Sequence, residues 1–270
     1  MKQNPFSFYD FLGYLIPGVS LIYLSSVILQ YSYPMYYRIL SIHFCGQVKT
    51  FGDILSYTPL VIASYLLGHV LALISSCLVE NYSNKKNGYP SQYLISGCRS
   101  GCFRGKKKSA MILIWLAVLP ISLLDTIFSC LLKLDNKMAA RLRPVVFKHC
   151  KELLQTEFKM KTCGMNMETG LNGDSFRLIY HYVFENSERH AAKLQNYVAL
   201  YGFSRNICMV FLLLFWSFFS IGIAKQSCNY IIPMAISSLL SFVFYTGFVK
   251  FYKRYTLEAM MAACVIKSNN

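Results

Sequence analysis

A single histidine, His69, stands near the middle of the stretch 54–79, which carries no Asp, Glu, Lys or Arg. An ionisable side chain in so apolar a segment is a functional-site hypothesis by default, because burying it costs free energy unless it is used. The chemistry on offer is a proton relay or the polar lining of a pore. The bland reading is a neutral imidazole bonded to a Ser or Tyr on a neighbouring helix. No second charge in the segment stands ready to pass a proton on, which makes for a thin relay. Beside His69, the small residues Ser64, Gly68, Ala72 and Ser76 recur every fourth position, which stacks them along one helical face. Such faces let backbones approach closely, either as packing within one bundle or as a seam between subunits.

Other side chains capable of chemistry are less tightly spaced. Cys98 and Cys102, with three residues between them, have a loose zinc-ligand spacing that His149 and Cys150 could complete. The competing reading is small buried thiols. The chain has 10 cysteines. Most fall in apolar stretches or on the basic side expected to face a reducing compartment, so a disulfide framework is not expected. An Arg followed five to seven residues later by His is the loose signature of a nuclease family with paired helices, and Arg143 to His149 and Arg38 to His43 both fit it. With 5 histidines and 27 lysines and arginines, a match this loose arises by chance. There is no Gly-rich phosphate loop, metal-ligand helix motif or nucleophile elbow. No enzyme, cofactor or metal is expected.

The elements that must hold these residues follow from composition. Hydrophobic residues make up 55% of the 270, aromatics 16% and charged residues only 14%, against about 25% charged in soluble domains. That is an all-α integral membrane protein. Four uncharged stretches, 11–30, 54–79, 206–224 and 226–249, are long enough to span a bilayer. The first lacks a small-residue cleavage signal after it and reads as a retained anchor. A fifth stretch, 109–132, is interrupted by Pro120 and Asp125. Lys and Arg outnumber Asp and Glu by 27 to 12, and their placement decides the topology, because basic loops stay cytoplasmic. The loop 80–108 holds Lys85, Lys86, Arg99, Arg104, Lys106, Lys107 and Lys108, whereas 31–53 holds only Arg38 and Lys49. A fifth crossing would put the basic stretch 133–205 and the tail with Lys250, Lys253 and Arg254 outside. Four crossings put both termini and 80–205 in the cytoplasm. The stretch 109–132 then becomes a re-entrant or interface-lying helical hairpin bent at Pro120.

The run Arg104, Lys106, Lys107 and Lys108 directly precedes that hairpin and suits anionic headgroups, at about 1 kcal/mol per nearby basic residue. Nucleic acid or an acidic protein partner is the weaker reading. Tyr9, Tyr31, Tyr33, Tyr36, Tyr37, Tyr230 and Tyr252 gather near span ends, as an aromatic belt does. In the cytoplasmic part, Val146, Cys150, Leu153, Leu154 and Phe158 after Pro144 predict one amphipathic helix. Glycines in 162–174 break the chain, and Asp174 or Ser175 caps a helix with Phe176, Ile179, Tyr180, Val183 and Phe184 on its apolar face. A third helix from Ser187 and Glu188 carries Ala191, Leu194, Val198 and Tyr201 straight into the span at 206, a stalk between cytosol and membrane. The chain thus divides into a first hairpin (1–79), a basic helical region (80–205), a second hairpin (206–249) and a tail (250–270).

Three fragments, FYDFLGYLIPG at 8–18, LYGFSRNI at 200–207 and FYKRYTLEA at 251–259, resemble patches that recur in small bacterial transmembrane anti-phage defence effectors. They are similar to the membrane accessory proteins of RNA-targeting CRISPR systems. The resemblance covers the two ends of the chain and the entry to the third span, and names no catalytic residue. It implies a homo-oligomeric effector that impairs the host bilayer when a cytosolic protein partner signals infection. From the residues themselves a gated pore or membrane-perturbing protein is expected. The alternatives are a membrane scaffold that recruits a soluble effector and, further off, a small transporter or membrane-bound enzyme. Transport is disfavoured by the lack of paired intramembrane charges and matched repeats.

Overall fold

A backbone placed in lipid must satisfy its own hydrogen bonds, and a helix does so within one segment. The computed structural model describes residues 10–38, 57–97, 108–131, 138–162 and 164–269, and no strand occurs among them. Four helices are long and apolar enough to cross a membrane: Phe11–Ser32, Thr58–Ser96, Glu188–Lys225 and Cys228–Ile266. Each overlaps one of the four stretches that the absence of charge marks out in the sequence, and three of them run on well past it.

Helix α1 is Phe11–Ser32. Its first residues, Phe11–Leu15, are wound as a π turn, and Pro17 follows where the α-helical part begins, with no N–H to give to the turn before it. Helix α2, Thr58–Ser75, likewise opens on a proline, Pro59. It does not end with its apolar stretch. A second π turn, Ser76–Glu80, leads into α3, Asn81–Asn87, which stops at Gly88 with φ +77°. Helix α4, Pro90–Ser96, is closed by Gly97 in the left-handed conformation. Next come α5, Lys108–Ala117, and α6, Leu119–Leu131, the expected hairpin stretch. The break between them falls at Val118, and Pro120 lies in the first turn of α6, a position that suits a residue with no N–H to donate. Helices α7, Leu142–Thr156, and α8, Gly173–Asn186, are the two amphipathic helices predicted after Pro144 and after the glycine-rich breaker. Asn172 caps α8 by accepting from Ser175 N at 2.8 Å, slightly before the capping residues expected. The longest helices close the chain: α9, Glu188–Lys225, and α10, Ile231–Asn269, joined by a short 3-10 turn, Cys228–Tyr230.

The contacts divide the chain into two compact units. The first holds Met1–Val79, Val118–Asp125 and Gly202–Phe248. Its interior takes Ile28, Leu71, Ile207, Val210, Leu212, Tyr245 and Phe248. Its outward residues are as apolar as its core: Val19, Tyr23 and Val27 on α1, Val61, Leu66, Val70 and Leu73 on α2, and Ile232, Ile236, Leu239 and Val243 on α10 are all exposed. In water so large an apolar surface would drive aggregation, whereas against lipid chains it carries no such penalty.

The second unit holds Glu80–Ala117, Thr126–Tyr201 and Val249–Asn270. It is built like a soluble core. Leu94 and Ile95 from α4, Leu153 and Leu154 from α7, Ile179 and Val183 from α8 and Leu194 from α9 are at most 1% exposed. Burying each such side chain fully is worth about 1.5–3 kcal/mol. Residues 250–269, set apart in the sequence as a tail, are the end of α10 and add Ala259, Met260, Ala262 and Ala263 to this core. The glycine-rich loop is held against α4: Ser91 Oγ donates to the Leu171 carbonyl at 3.0 Å, and Leu171 N donates to the Ser91 carbonyl at 3.3 Å. At Gly170, φ is +67° and a Cβ would come within 2.6 Å of the Gln92 backbone, so glycine is needed there for conformation and for space.

Candidate membrane-embedded site

Within the first unit, α1 and α2 meet through glycine. A Cβ on Gly18 would overlap the Ser64 carbonyl, and one on Gly68 would overlap the Tyr14 carbonyl. Ser64 and Gly68, two of the four small residues spaced along α2, are thus packed backbone to backbone against α1 of the same chain. Ser64 is 1% exposed, while Ala72 and Ser76 are half-buried.

That close approach brings His69 against Tyr14. The two rings stack with centroids 4.0 Å apart and planes 20° from parallel. Tyr65, one turn back on α2, meets the imidazole edge-on at 4.6 Å and 85°, and it also meets Tyr14 edge-on at 6.3 Å. His69 is half-buried in a cluster with two phenol rings. The bland reading of the sequence expects a bond to a Ser or Tyr on a neighbouring helix; the contact with Tyr14 on α1 is ring stacking.

A buried polar junction lies one to two turns further along α2. Ser75 Oγ donates to Asn206 Oδ1 at 2.6 Å, and Asn206 Nδ2 donates to the Gly13 carbonyl at 2.7 Å. Ser75 and Asn206 are at most 1% exposed. One amide therefore ties α1, α2 and α9 together, using a carbonyl of the π turn of α1. Single π turns in α-helices mark functional positions often enough to be noted, and two of them, Phe11–Leu15 and Ser76–Glu80, flank this junction in sequence. In an apolar surrounding such interhelical bonds hold register, because the alternative is a polar group with nothing to bond. Sequence reasoning placed Asn206 only as the first residue of a span. The signal was available: it is the one amide side chain in 206–224.

The opposite ends of α1 and α9 also meet. Lys225 Nζ donates to the Ser32 carbonyl and sits 4.7 Å above the Tyr33 ring. Tyr31 packs edge-on against Tyr230 at 5.7 Å. Gly13 near the start of α1 meets the middle of α9 at Asn206, and Ser32 at the end of α1 meets Lys225 at the end of α9, so the two run the same way. Gly18 facing Ser64 while Tyr14 faces Gly68 sets α2 the opposite way, and the Phe211–Phe244 stack at 5.7 Å with Ser204 beside Gly247 does the same for α10. Tyr31 and Tyr36 are largely exposed and Tyr230 is buried. Tyr9 lies outside the described residues.

The remaining sequence candidates separate. Arg104, Lys106 and Lys107 lie outside the described residues, and Lys108 is the first residue of α5. Cys98 and Cys102 also lie outside them, and no group of three or more His, Cys, Asp or Glu able to hold a metal occurs among the described residues. His43 lies outside as well, which leaves Arg143 and His149. Six residues apart on a helix is about 240° around its axis, so α7 does not bring them onto one face. Each has a local role: Arg143 Nε donates to the Met138 carbonyl at 2.8 Å with its guanidinium against Gly97, and His149 Nδ1 lies 2.9 Å from the Val145 carbonyl.

The chain matches no family model, no curated protein and no solved structure. What the site can do is therefore argued from its own residues. One stacked histidine and one buried amide make a helix-positioning junction.

Proposed function

We propose that this chain is a homo-oligomeric effector of the bacterial inner membrane, acting as a gated pore or by perturbing the bilayer in anti-phage defence. The observation that carries this reading is the length of the last two helices. Helices α9 and α10 have 38 and 39 residues, about 57 and 58 Å at a rise of ~1.5 Å per residue. A hydrocarbon core is only about 30 Å thick. Their apolar stretches, 206–224 and 226–249, fill it, and the rest of each helix contributes to the aqueous-type core of the second unit through Leu194, Ala259 and Met260. A cytosolic protein that reshapes that core acts on rods that also belong to the membrane. Both termini and 80–205 are cytoplasmic in this reading.

Helices α5 and α6 lie at the bilayer surface or dip into it. Ile112, Leu113, Trp115, Leu116, Leu123 and Ile127 are exposed, while Val118, Ile121 and Ser122 are fully buried. The apolar face enters lipid, and Arg104, Lys106, Lys107 and Lys108 contact anionic headgroups.

The test is ion conductance of the purified protein in liposomes, together with dye-reported membrane potential in cells that express it with its trigger. Conductance or depolarisation is the expected outcome. Wild-type protein that never conducts and never depolarises triggered cells removes the pore reading and leaves a scaffold that recruits a soluble effector.

A further inference from the structure

Helix α2 buries one face and leaves the opposite one bare. Ser64, Gly68, Leu71 and Ser75 are its buried residues; Ser64 and Gly68 meet the backbone of α1, and Ser75 bonds Asn206 of α9. At 3.6 residues per turn, Ile62, Leu66, His69 and Leu73 stand on the other side of the helix. Ile62 is 55% exposed, Leu66 59% and Leu73 70%, and His69 is half-buried. These four positions alternate steps of four and three, the a/d rhythm of a helix that packs along another helix. At its start the line runs into a shallow groove of about 470 Å³ lined by Thr58, Pro59, Ile62, Ala63 and Leu66.

Leucine and isoleucine on such a face are at home against lipid chains, so their exposure alone asks for no partner. His69 does ask for one. Its contacts with Tyr14 and Tyr65 are ring on ring, and among the described residues neither imidazole nitrogen makes a hydrogen bond. A neutral imidazole brings one N–H and one bare nitrogen, and polar atoms left unbonded in hydrocarbon are costly. His69 stands near the middle of the uncharged stretch 54–79, a depth at which an acyl chain can supply neither bond.

We propose that this face of α2 is a seam between two copies of the chain, packed about a two-fold axis along the membrane normal, with His69 of each copy bonded to the other. The proposal rests on the homo-oligomeric reading above and names the surface which that reading needs. Depth selects a second copy as the occupant. Copies inserted with the same topology hold His69 at one level of the bilayer, and an axis normal to the membrane brings like residue to like. One imidazole donates its N–H to the bare nitrogen of the other. Leu66 and Leu73 on either side pack as knobs into holes and exclude other polar groups from that bond. The bond also fixes register, because a slip of one turn would set each imidazole against leucine. The small-residue face of Ser64 and Gly68 is spent inside the chain, so this seam lies on the opposite side of the helix from it.

The test places the photo-crosslinker benzoylphenylalanine, in the full-length chain, at the position of Ile62, Leu66 or Leu73, and for comparison at Val19 on α1 or Leu239 on α10, which are exposed elsewhere on the first unit. Membranes are irradiated with two differently tagged copies co-expressed. The expected result is a covalent dimer carrying both tags from 62, 66 and 73, and none from 19 or 239. With copies labelled for energy transfer in liposomes, His69→Leu should weaken the dimer about 3- to 20-fold, the range that interhelical hydrogen bonds in membranes span. His69→Asn, which keeps a donor and an acceptor, should recover part of the loss. Because His69→Leu also removes the ring stack on Tyr14, the crosslinking map decides by itself. Equal yields at all five positions, adducts of phospholipid or of a small lipid-soluble molecule alone, or a ladder beyond the dimer each overturns the proposal. Native mass separates it from the reading beneath it: an oligomer that does not crosslink at 66 or 73 refutes the seam and leaves the homo-oligomer, whereas a monomer removes both.

Discussion

Gly68 and Asn206 carry the α1–α2–α9 junction by opposite means, one by having no side chain and the other by having a polar one. The every-fourth spacing of Ser64, Gly68, Ala72 and Ser76 is legible in the sequence, but what that face meets is not, since Gly18 belongs to no comparable stripe. With Gly68 against the Tyr14 carbonyl, Gly68→Leu acts within one chain. Backbone atoms cannot rotate aside as a side chain can, so the cost should be at least the 1–3 kcal/mol typical of about one overpacked site. The expected outcome is a lower denaturation midpoint in detergent, with whatever stays folded showing wild-type native mass. A midpoint unchanged alongside a smaller assembly would return this face to the subunit interface. Asn206→Leu removes both ties and leaves the Gly13 carbonyl and the Ser75 hydroxyl to find other partners. Interhelical bonds in membranes are worth about 0.6 kcal/mol on average and up to about 1.7, so two should give a loss near 1–2 kcal/mol in unfolding by denaturing detergent. Ser75→Ala should give a smaller loss. His69 is harder to reach from sequence: its position gives the segment, while the stacking on Tyr14 depends on how closely two glycines allow α1 and α2 to approach.

At the scale of elements, α9 runs unbroken through Gly202, the residue at which a stalk would be expected to weaken. If a signal passes along it, a break just before Gly202 should stop the signal. Ala199 is 2% exposed, and Ala199→Pro removes one ladder bond and adds a ring clash, about 3 kcal/mol or more in a helix interior. The expected outcome is membrane insertion at wild-type level with loss of depolarisation in triggered cells. Ala199→Gly costs only about 1 kcal/mol and keeps the N–H, so it should still depolarise. Depolarisation by the proline variant equal to that of wild type would take α9 out of the coupling path. Helices with strong period were readable to within a residue or two, as α7 and α8 show. The stretch 80–97 was not. Its Lys85 and Lys86 mark a loop by charge, but Tyr82, Tyr93, Leu94 and Ile95 are buried. That burial depends on the turns at Gly88, Gly97 and Gly170, whose partners lie up to eighty residues away, as in the Ser91 to Leu171 bond.

For the molecule as a whole, the direction of the four long helices gives the topology a specific test. Cys228 is exposed in the α9–α10 turn, at the end where Lys225 meets Ser32. If both termini are cytoplasmic, Cys228 should react with a membrane-impermeant maleimide added to intact spheroplasts, while cysteines introduced as Lys106→Cys or Ser268→Cys should react only after lysis. Labelling at 106 or 268 from outside would sink the four-crossing arrangement. The four helices long and apolar enough to span were legible because absence of charge over about 20 residues is a local property. The joining of 250–269 to the core of the second unit was not, because α10 passes from an apolar stretch to an amphipathic one with no change in secondary structure.

The burial of Ala259, Met260, Ala262 and Ala263 in the second unit also sets a timetable. A ribosome delivers the chain from its N-terminus, so α1 and α2 can close glycine on backbone as soon as α2 enters the bilayer. The faces of α7 and α8 that carry Leu153, Leu154 and Ile179 are made well before residues 259–263, which pack with them in one core. During that interval the half-built core is open and liable to associate wrongly, the period in which nascent chains draw on chaperones. The α1–α2 pair can form early, whereas α9 and α10 complete the first unit late, and the second unit is sealed only when the end of α10 arrives.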